Sequence, residues 1–171
     1  MSLRMISCMC SSKMIVGNNG RYLLKYTTID KSRFVRLGME IKEYKDFRED
    51  EILRLYSEVG WTAYTENMTA LRRGYEHSLL VLAAYEEDDL LGIIRAVGDG
   101  FTVVFIQDIL VYPDKQRQGV GTALLKAVLA RYPDVRQIEL VTDNTPQTVA
   151  FYKSMGFSDL SEMGCCGFMR A

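Results

Sequence analysis

Apolar residues in the middle of the chain fall into three runs that have the composition of buried β-strands. They span residues 79–85, 90–97 and 102–111, and short polar connectors at 86–89 and 98–100 separate them. β-branched and aromatic side chains favour strands, and connectors of this length favour hairpins. The pattern therefore predicts three consecutive antiparallel strands.

Helical periodicity appears on both sides of these runs. Asp46 and Glu49 have the spacing of a capping box, and an apolar face follows that ends at Gly60 (Ile52, Leu55, Tyr56, Val59). A connector at 61–65 leads into a second predicted helix over 66–77, which His77 ends. Further helices are predicted over 120–131 and from Thr145 to about Met155.

Shorter strands are predicted at 41–44, 137–142, 157–160 and 164–169. Strands thus alternate with helices around a mostly antiparallel middle, which indicates an α+β or mixed α/β fold with one sheet flanked by helices. We assign residues 39–171 to this domain. Residues 1–38 form a separate extension, in which 13–16 and 21–26 flank a Gly/Asn turn and predict a β-hairpin arm. We expect this arm to make a homodimer contact.

Composition narrows the classes of partner. The chain has 171 residues, 21 basic and 22 acidic, for a net charge of −1. This balance gives no electrostatic reason to expect nucleic acid or an anionic membrane, so a small molecule is the expected partner. The longest apolar run, 79–84, is too short to span a bilayer, and the start of the chain lacks a signal-peptide pattern, which predicts a cytoplasmic protein. The four cysteines and single histidine lack the spacing of a zinc site, so no metal is expected.

Candidate chemistry lies between the third strand and the 120–131 helix. Gly119 and Gly121 stand where that helix begins, and its first N–H groups have no partner within the helix. These groups and the positive end of the helix dipole favour an anion such as phosphate. The loop lacks the Gly-Lys-Ser/Thr ending of nucleotide triphosphatases and the third glycine of the dinucleotide fingerprint.

Two motifs together resemble one family. Gln116-x-x-Gly119-x-Gly121 is similar to the motif with which GNAT-family N-acetyltransferases hold the pyrophosphate of acetyl-coenzyme A. About thirty residues later, Tyr152, three residues and Gly156-Phe157 are similar to the end of a later helix of that family. The resemblance covers roughly residue 39 to the end of the chain.

This resemblance implies direct transfer of an acetyl group from acetyl-CoA to an amine. The loop would bind the pyrophosphate, the third strand would bind pantetheine, and an N–H of Leu110 or Val111 would hold the oxyanion. Tyr152 would protonate the leaving thiolate, since a phenol is a competent donor near its usual pKa of about 10. The residues assigned to the cofactor are Ile109, Leu110, Val111, Gln116, Arg117, Gln118, Gly119, Val120, Gly121, Thr122 and Asn144.

Two departures from the family pattern concern the cofactor. Asn144 lies eight residues before Tyr152, where the family commonly has an asparagine at seven. Gln118 stands where an arginine usually precedes the first motif glycine, so Arg117 or Lys115 would supply the positive charge.

The acceptor side is less well defined. Asp108 is the candidate base, although Gln107 beside it points to the opposite face and only one face meets the acceptor. Trp61 and Tyr64 line a substrate pocket in one interpretation and belong to the core in the other. We expect a primary amine of a small cytosolic molecule as acceptor. A protein Nα or lysine acetyltransferase and a non-catalytic acyl-CoA-binding module are the alternatives.

Overall fold

A computed structural model describes residues 38–170. The predicted hairpin arm and its dimer contact lie outside these residues. Within the described range, 38–143 and 144–170 belong to two different compact units, and each is described by itself.

The first unit contains one five-stranded sheet and four helices. Its elements in chain order are β1 (Met39–Glu43), α1 (Glu49–Glu58), α2 (Thr62–Thr65), α3 (Met68–Glu76), β2 (Leu80–Glu86), β3 (Asp89–Gly98), β4 (Val103–Val111), a 3-10 turn (Pro113–Lys115), α4 (Val120–Arg131) and β5 (Gln137–Leu140). No helix between residues 38 and 170 is long and apolar enough to cross a membrane.

The sheet has the order β1-β2-β3-β4-β5. The first four strands pair antiparallel, and β5 pairs with β4 in parallel, so the predicted mixed and mostly antiparallel sheet is confirmed. One face carries a cluster that includes Ile52 and Leu55 of α1, Leu71 of α3, and Ala83 and Ile93 of the sheet. Because side chains alternate along a strand, the neighbouring buried residues face the other side of the sheet, where α4 packs.

The capping box predicted at Asp46 is wrong. α1 has Arg48 as its N-cap, without a side-chain capping bond, and three acidic residues follow in the first turn. Carboxylates near a helix N-terminus are stabilised by the helix dipole, so this end does not depend on a capping side chain. The predicted end is confirmed. Gly60 has a φ of +81°, its N–H donates to Ser57 and that of Trp61 to Tyr56, which together form a Schellman motif.

The region between α1 and β2 holds two helices where one was predicted. Residues 62–65, expected as a connector, form the single turn α2. The longer helix begins at Met68 and not at Glu66, because the Asn67 side chain accepts a hydrogen bond from the Ala70 N–H and caps it there. His77 follows its last residue, as predicted.

The second unit contains α5 (Pro146–Ser154). Thr145 caps it by accepting from the Thr148 N–H, and Pro146 occupies its first turn, as predicted. The strands predicted at 157–160 and 164–169 are wrong. The Cys165 N–H donates to the Leu160 carbonyl at 2.8 Å, so the backbone between these two residues forms turns, and residues 165–170 have no regular secondary structure.

Candidate active site

The loop between β4 and α4 has the backbone that an anion cradle requires. Gly119 has a φ of +90° and serves as the N-cap of α4, without a side-chain capping bond. A Cβ atom added there would meet nothing within 4 Å, so the glycine is needed for its backbone angle and not for space. Arg117 also has a positive φ, of 61°. The N–H groups of the first turn of α4 have no partner within the helix.

Both glutamines of the loop brace its backbone. Gln116 Nε2 donates to the Val111 carbonyl at 3.2 Å, and Gln118 Nε2 donates to the Asp114 carbonyl at 2.7 Å. Of the two candidate cations, Lys115 forms an ion pair with Glu86 at 3.6 Å, whereas Arg117 is exposed. Arg117 is thus the cation in this loop that can reach a ligand without breaking an ion pair with Glu86.

Among residues 38–170, no strand pairs with the outer edge of β4 beyond Ile106, which leaves the far half of this edge open. Pairing with β5 ends at Ile106 opposite Leu140, although β4 continues to Val111. The Tyr112 N–H donates to Leu91 of β3, and backbone groups alternate in direction along a strand. The N–H and C=O groups of Ile109 and Val111 therefore face away from β3, while those of Leu110 face Ile93 of that strand.

A β-bulge at Gln107 determines on which face of the sheet the side chains of the far half of β4 lie. Arg95 lies opposite Asp108 but Ala96 lies opposite Ile106, which leaves Gln107 as an extra residue in β4. The extra residue shifts by one position the alternation of β4 side chains between the two faces of the sheet. Asp108 and Leu110 consequently lie on the sheet face that carries α1 and α3.

Asp108 is buried within a polar network on that face. It is 1% exposed, forms an ion pair with Arg95 Nε and accepts a 2.9 Å hydrogen bond from the Tyr56 hydroxyl. The Tyr75 hydroxyl donates to the Tyr56 oxygen at 3.2 Å. Asp108 Oδ1 is buried and accepts no hydrogen bond from residues 38–170. Burial raises the pKa of Tyr56 and of Tyr75, so both hydroxyls keep their protons.

Trp61 and Tyr64 lie at the surface beside this network. They are 37% and 39% exposed, and their rings stack with centroids 5.7 Å apart. Both also contact the Tyr56 ring, at centroid distances of 6.4 and 5.7 Å. The two residues are therefore not interior core residues. With Tyr56 they form an aromatic cluster, in which Tyr56 is the buried member and hydrogen-bonds Asp108.

Comparison with known proteins identifies the family. The model of the acetyltransferase (GNAT) family matches residues 44–157, about two thirds of the chain. The chain belongs to the GNAT acetyltransferase family. The matched region includes the cradle loop, the open edge of β4 and the Tyr152 helix.

Individual relatives of this GNAT protein agree with that assignment. A GNAT-family acetyltransferase structure from Streptococcus pneumoniae is 39% identical, with a TM-score of 0.71, and the match covers 78% of this chain and 97% of that one. The uncharacterized N-acetyltransferase ycf52 of Gracilaria tenuistipitata var. liui is 28% identical over 79% of this chain and 74% of its own length. The chloroplastic serotonin N-acetyltransferase 2 of rice is 31% identical over 61% of this chain and 53% of its own length.

Tyr152 and Asn144 of this GNAT chain lie in the second unit. Tyr152 is buried on α5, and its ring contacts Phe151 and Phe157 edge to face, with centroids 5.0 and 5.8 Å away. Asn144 is exposed just before the Thr145 cap.

Arg95, Tyr56 and Tyr75 were not predicted from the sequence as site residues. Tyr56 was assigned to the apolar face of α1, and Arg95 was included in a buried strand without comment. A usable signal was present, because a lone arginine and a lone aspartate occur in two consecutive apolar strands. A hairpin can bring such residues opposite each other, as the pair Arg95 and Asp108 shows.

Proposed function

We propose that this GNAT member transfers the acetyl group of acetyl-CoA to a primary amine of a small molecule, by direct attack within a ternary complex. The observation that carries the proposal is the unpaired edge of β4, which leads directly into the glycine cradle of α4. A strand-like ligand arm that ends in a pyrophosphate requires these two features side by side.

At the cofactor end, the first-turn N–H groups of α4 would hold the pyrophosphate, and Arg117 would compensate its charge. The pantetheine would pair with the backbone groups of Ile109 and the N–H of Val111 as an added strand, since the Val111 carbonyl already accepts from Gln116. Of the two N–H groups expected to hold the oxyanion, that of Val111 lies on the open edge. The N–H of Leu110 faces β3 and its side chain is buried, so neither is available to the cofactor.

At the reacting end, the amine lone pair would attack the thioester carbonyl carbon, forming the C–N bond as the C–S bond breaks. The surplus proton of the nitrogen would pass to Asp108 as base. The thiolate of coenzyme A would take a proton from Tyr152, whose role comes from the family motif.

A small acceptor is favoured by the surroundings of Asp108. The carboxylate is enclosed by side chains of α1, α3 and β3, and Trp61 and Tyr64 would contact the body of the acceptor as it approaches. The rice relative is named for acetylation of serotonin, a small amine. We also propose a cytoplasmic location and a homodimer, both of which stay predictions.

A thiol-release screen tests the activity. Acetyl-CoA is supplied with small amines, polyamines, amino acids and peptides, and free coenzyme A is measured together with the mass of the acetylated product. We expect turnover with small amines. Turnover only with peptides would favour a protein acetyltransferase, and acetyl-CoA binding without turnover on any acceptor would favour a regulatory acyl-CoA-binding module.

A further inference from the structure

Glu139 of β5 lies on the same face of the sheet as Asp108. It stands opposite Phe105 of β4, and Phe105 stands opposite Val97 of β3. Residues opposite each other in neighbouring strands share a face, and so do Val97 and Arg95, which are two positions apart in β3. Arg95 pairs with Asp108 on the face that carries α1 and α3. The Glu139 carboxylate therefore belongs to the acceptor side of the sheet.

Glu139 also lies beside the point where β4 and β5 part, which we call the fork. Pairing of the two strands ends one residue later, with Leu140 opposite Ile106, and β4 continues from there to Val111 with its outer edge open. A cofactor arm that follows this edge from the cradle points its reacting end towards the fork. An acceptor that meets the thioester from the other direction consequently passes Glu139.

The charge of Glu139 is not balanced by the residues around it. One carboxylate oxygen accepts a 2.8 Å hydrogen bond from Gln137 Nε2, which is neutral. None of the ion pairs formed among residues 38–170 includes Glu139, whereas Asp108 is already neutralised by Arg95. Glu139 is partly exposed, and Asp108 is 1% exposed. Of these two carboxylates, Glu139 is thus the one that a cationic group of an acceptor can reach.

The nitrogen that suits Glu139 is not the one that reacts. A carboxylate in contact with an amine favours the ammonium form, whereas attack on the thioester needs the neutral amine. We propose that Glu139 selects acceptors with a second positive charge, such as diamines and polyamines, by pairing with the ammonium group that is not acetylated. The inference rests on the proposed function and names the class of its acceptor. Glu139 touches the acceptor and determines specificity, and it takes no part in proton transfer.

Trp61 and Tyr64 suit the body of such an acceptor. Both contact the ring of Tyr56, whose hydroxyl bonds Asp108 of β4, so the pair stands on the same face of the sheet as Glu139. Their rings are partly exposed, and aromatic faces attract ammonium groups. A flexible chain with a cation at its far end therefore finds favourable contacts along this face.

The test uses the full chain with acetyl-CoA and compares 1,4-diaminobutane with butylamine, which has the same carbon chain and one nitrogen. Release of coenzyme A gives kcat/KM for each, and the value for the diamine is halved because it has two equivalent nitrogens. For the wild type we expect the diamine to exceed the monoamine at least about fivefold. Glu139→Gln should bring this ratio close to one, while kcat/KM for butylamine and the affinity for acetyl-CoA stay unchanged. Glu139→Asp, which keeps the charge, should retain part of the preference.

The matched control is Glu40→Gln, which removes the same charge from β1 at the opposite edge of the sheet and should keep the wild-type ratio. The inference would be overturned by a wild type without preference for the diamine, by an unchanged ratio in Glu139→Gln, or by an equal loss in Glu40→Gln. In each of these cases turnover of butylamine would leave the proposed function standing. Absence of acetylation of any amine by the wild type would instead reject the proposed function.

Discussion

Asp108 is the buried acceptor of the polar network that Arg95 and Tyr56 form on the α1 and α3 face of the sheet. It was predicted as the base because it is the charged residue on the strand that the family resemblance assigns to the cofactor. Its burial, its pairing with Arg95 and its contact with Tyr56 depend on the register of two strands and on a helix 52 positions away in sequence. No local pattern contains that information. The family resemblance assigned the cofactor residues, all but Asn144, within one stretch, 109–122, whereas the residues around Asp108 on the acceptor side lie on five elements, α1, α2, α3, β3 and β4.

The proposed role of Tyr152 gives a prediction for a single side chain. Tyr152→Phe removes the phenolic proton but keeps the ring that contacts Phe151 and Phe157. Loss of a general acid should lower kcat by about 100-fold or more, with little change in acetyl-CoA affinity. Steady-state kinetics and calorimetry on the same preparation measure the two quantities. Phe151→Leu serves as a control for altered packing, and unchanged kcat in Tyr152→Phe would remove the assignment of Tyr152 as acid.

Among the elements, α4 was predicted with its observed bounds because its apolar periodicity and the glycine pair at its start agree. The bulge at Gln107 was not predictable, since a bulge depends on how two strands pair and has no fixed residue signature. The start of α1 was missed because an acidic first turn replaced the expected capping box. The strands after α5 were predicted without an identified pairing partner, and a strand needs one for its backbone hydrogen bonds.

Gly92 provides a prediction for the β3–β4 pairing. A Cβ atom there would overlap the Leu110 carbonyl oxygen and lie 3.1 Å from Val111 Cα, so the strands would have to separate where the site is built. Gly92→Ala should lower the free energy of unfolding by about 2 kcal/mol or more. Urea denaturation followed by circular dichroism measures this change.

The matched control for this substitution is Gly74→Ala within α3. Its Cβ atom would make an ordinary 3.5 Å contact with Arg95, and alanine favours a helix interior by up to about 1 kcal/mol over glycine. A Gly92→Ala protein as stable as wild type would contradict the tight strand contact.

For the whole molecule, the first 38 residues carry the prediction of a dimer. Two-stranded hairpins are marginally stable alone, so an ordered arm needs a surface to pack on. Light scattering of the full chain should give the mass of two chains, and deletion of residues 1–38 should give the mass of one. A monomeric mass for the full chain at all concentrations would reject this prediction.

The proposed function requires the glycine cradle of α4 to hold acetyl-CoA, and titration calorimetry with acetyl-CoA measures this binding. Gly119 and Gly60 both have a positive φ and open space around a Cβ atom, so alanine at either position costs a similar backbone strain of about 1–2 kcal/mol. We predict that wild type and Gly60→Ala bind acetyl-CoA equally, whereas Gly119→Ala binds at least about tenfold more weakly because the N–H groups of the cradle are displaced. No binding by the wild type, or equal binding by all three proteins, would show that this loop does not hold acetyl-CoA.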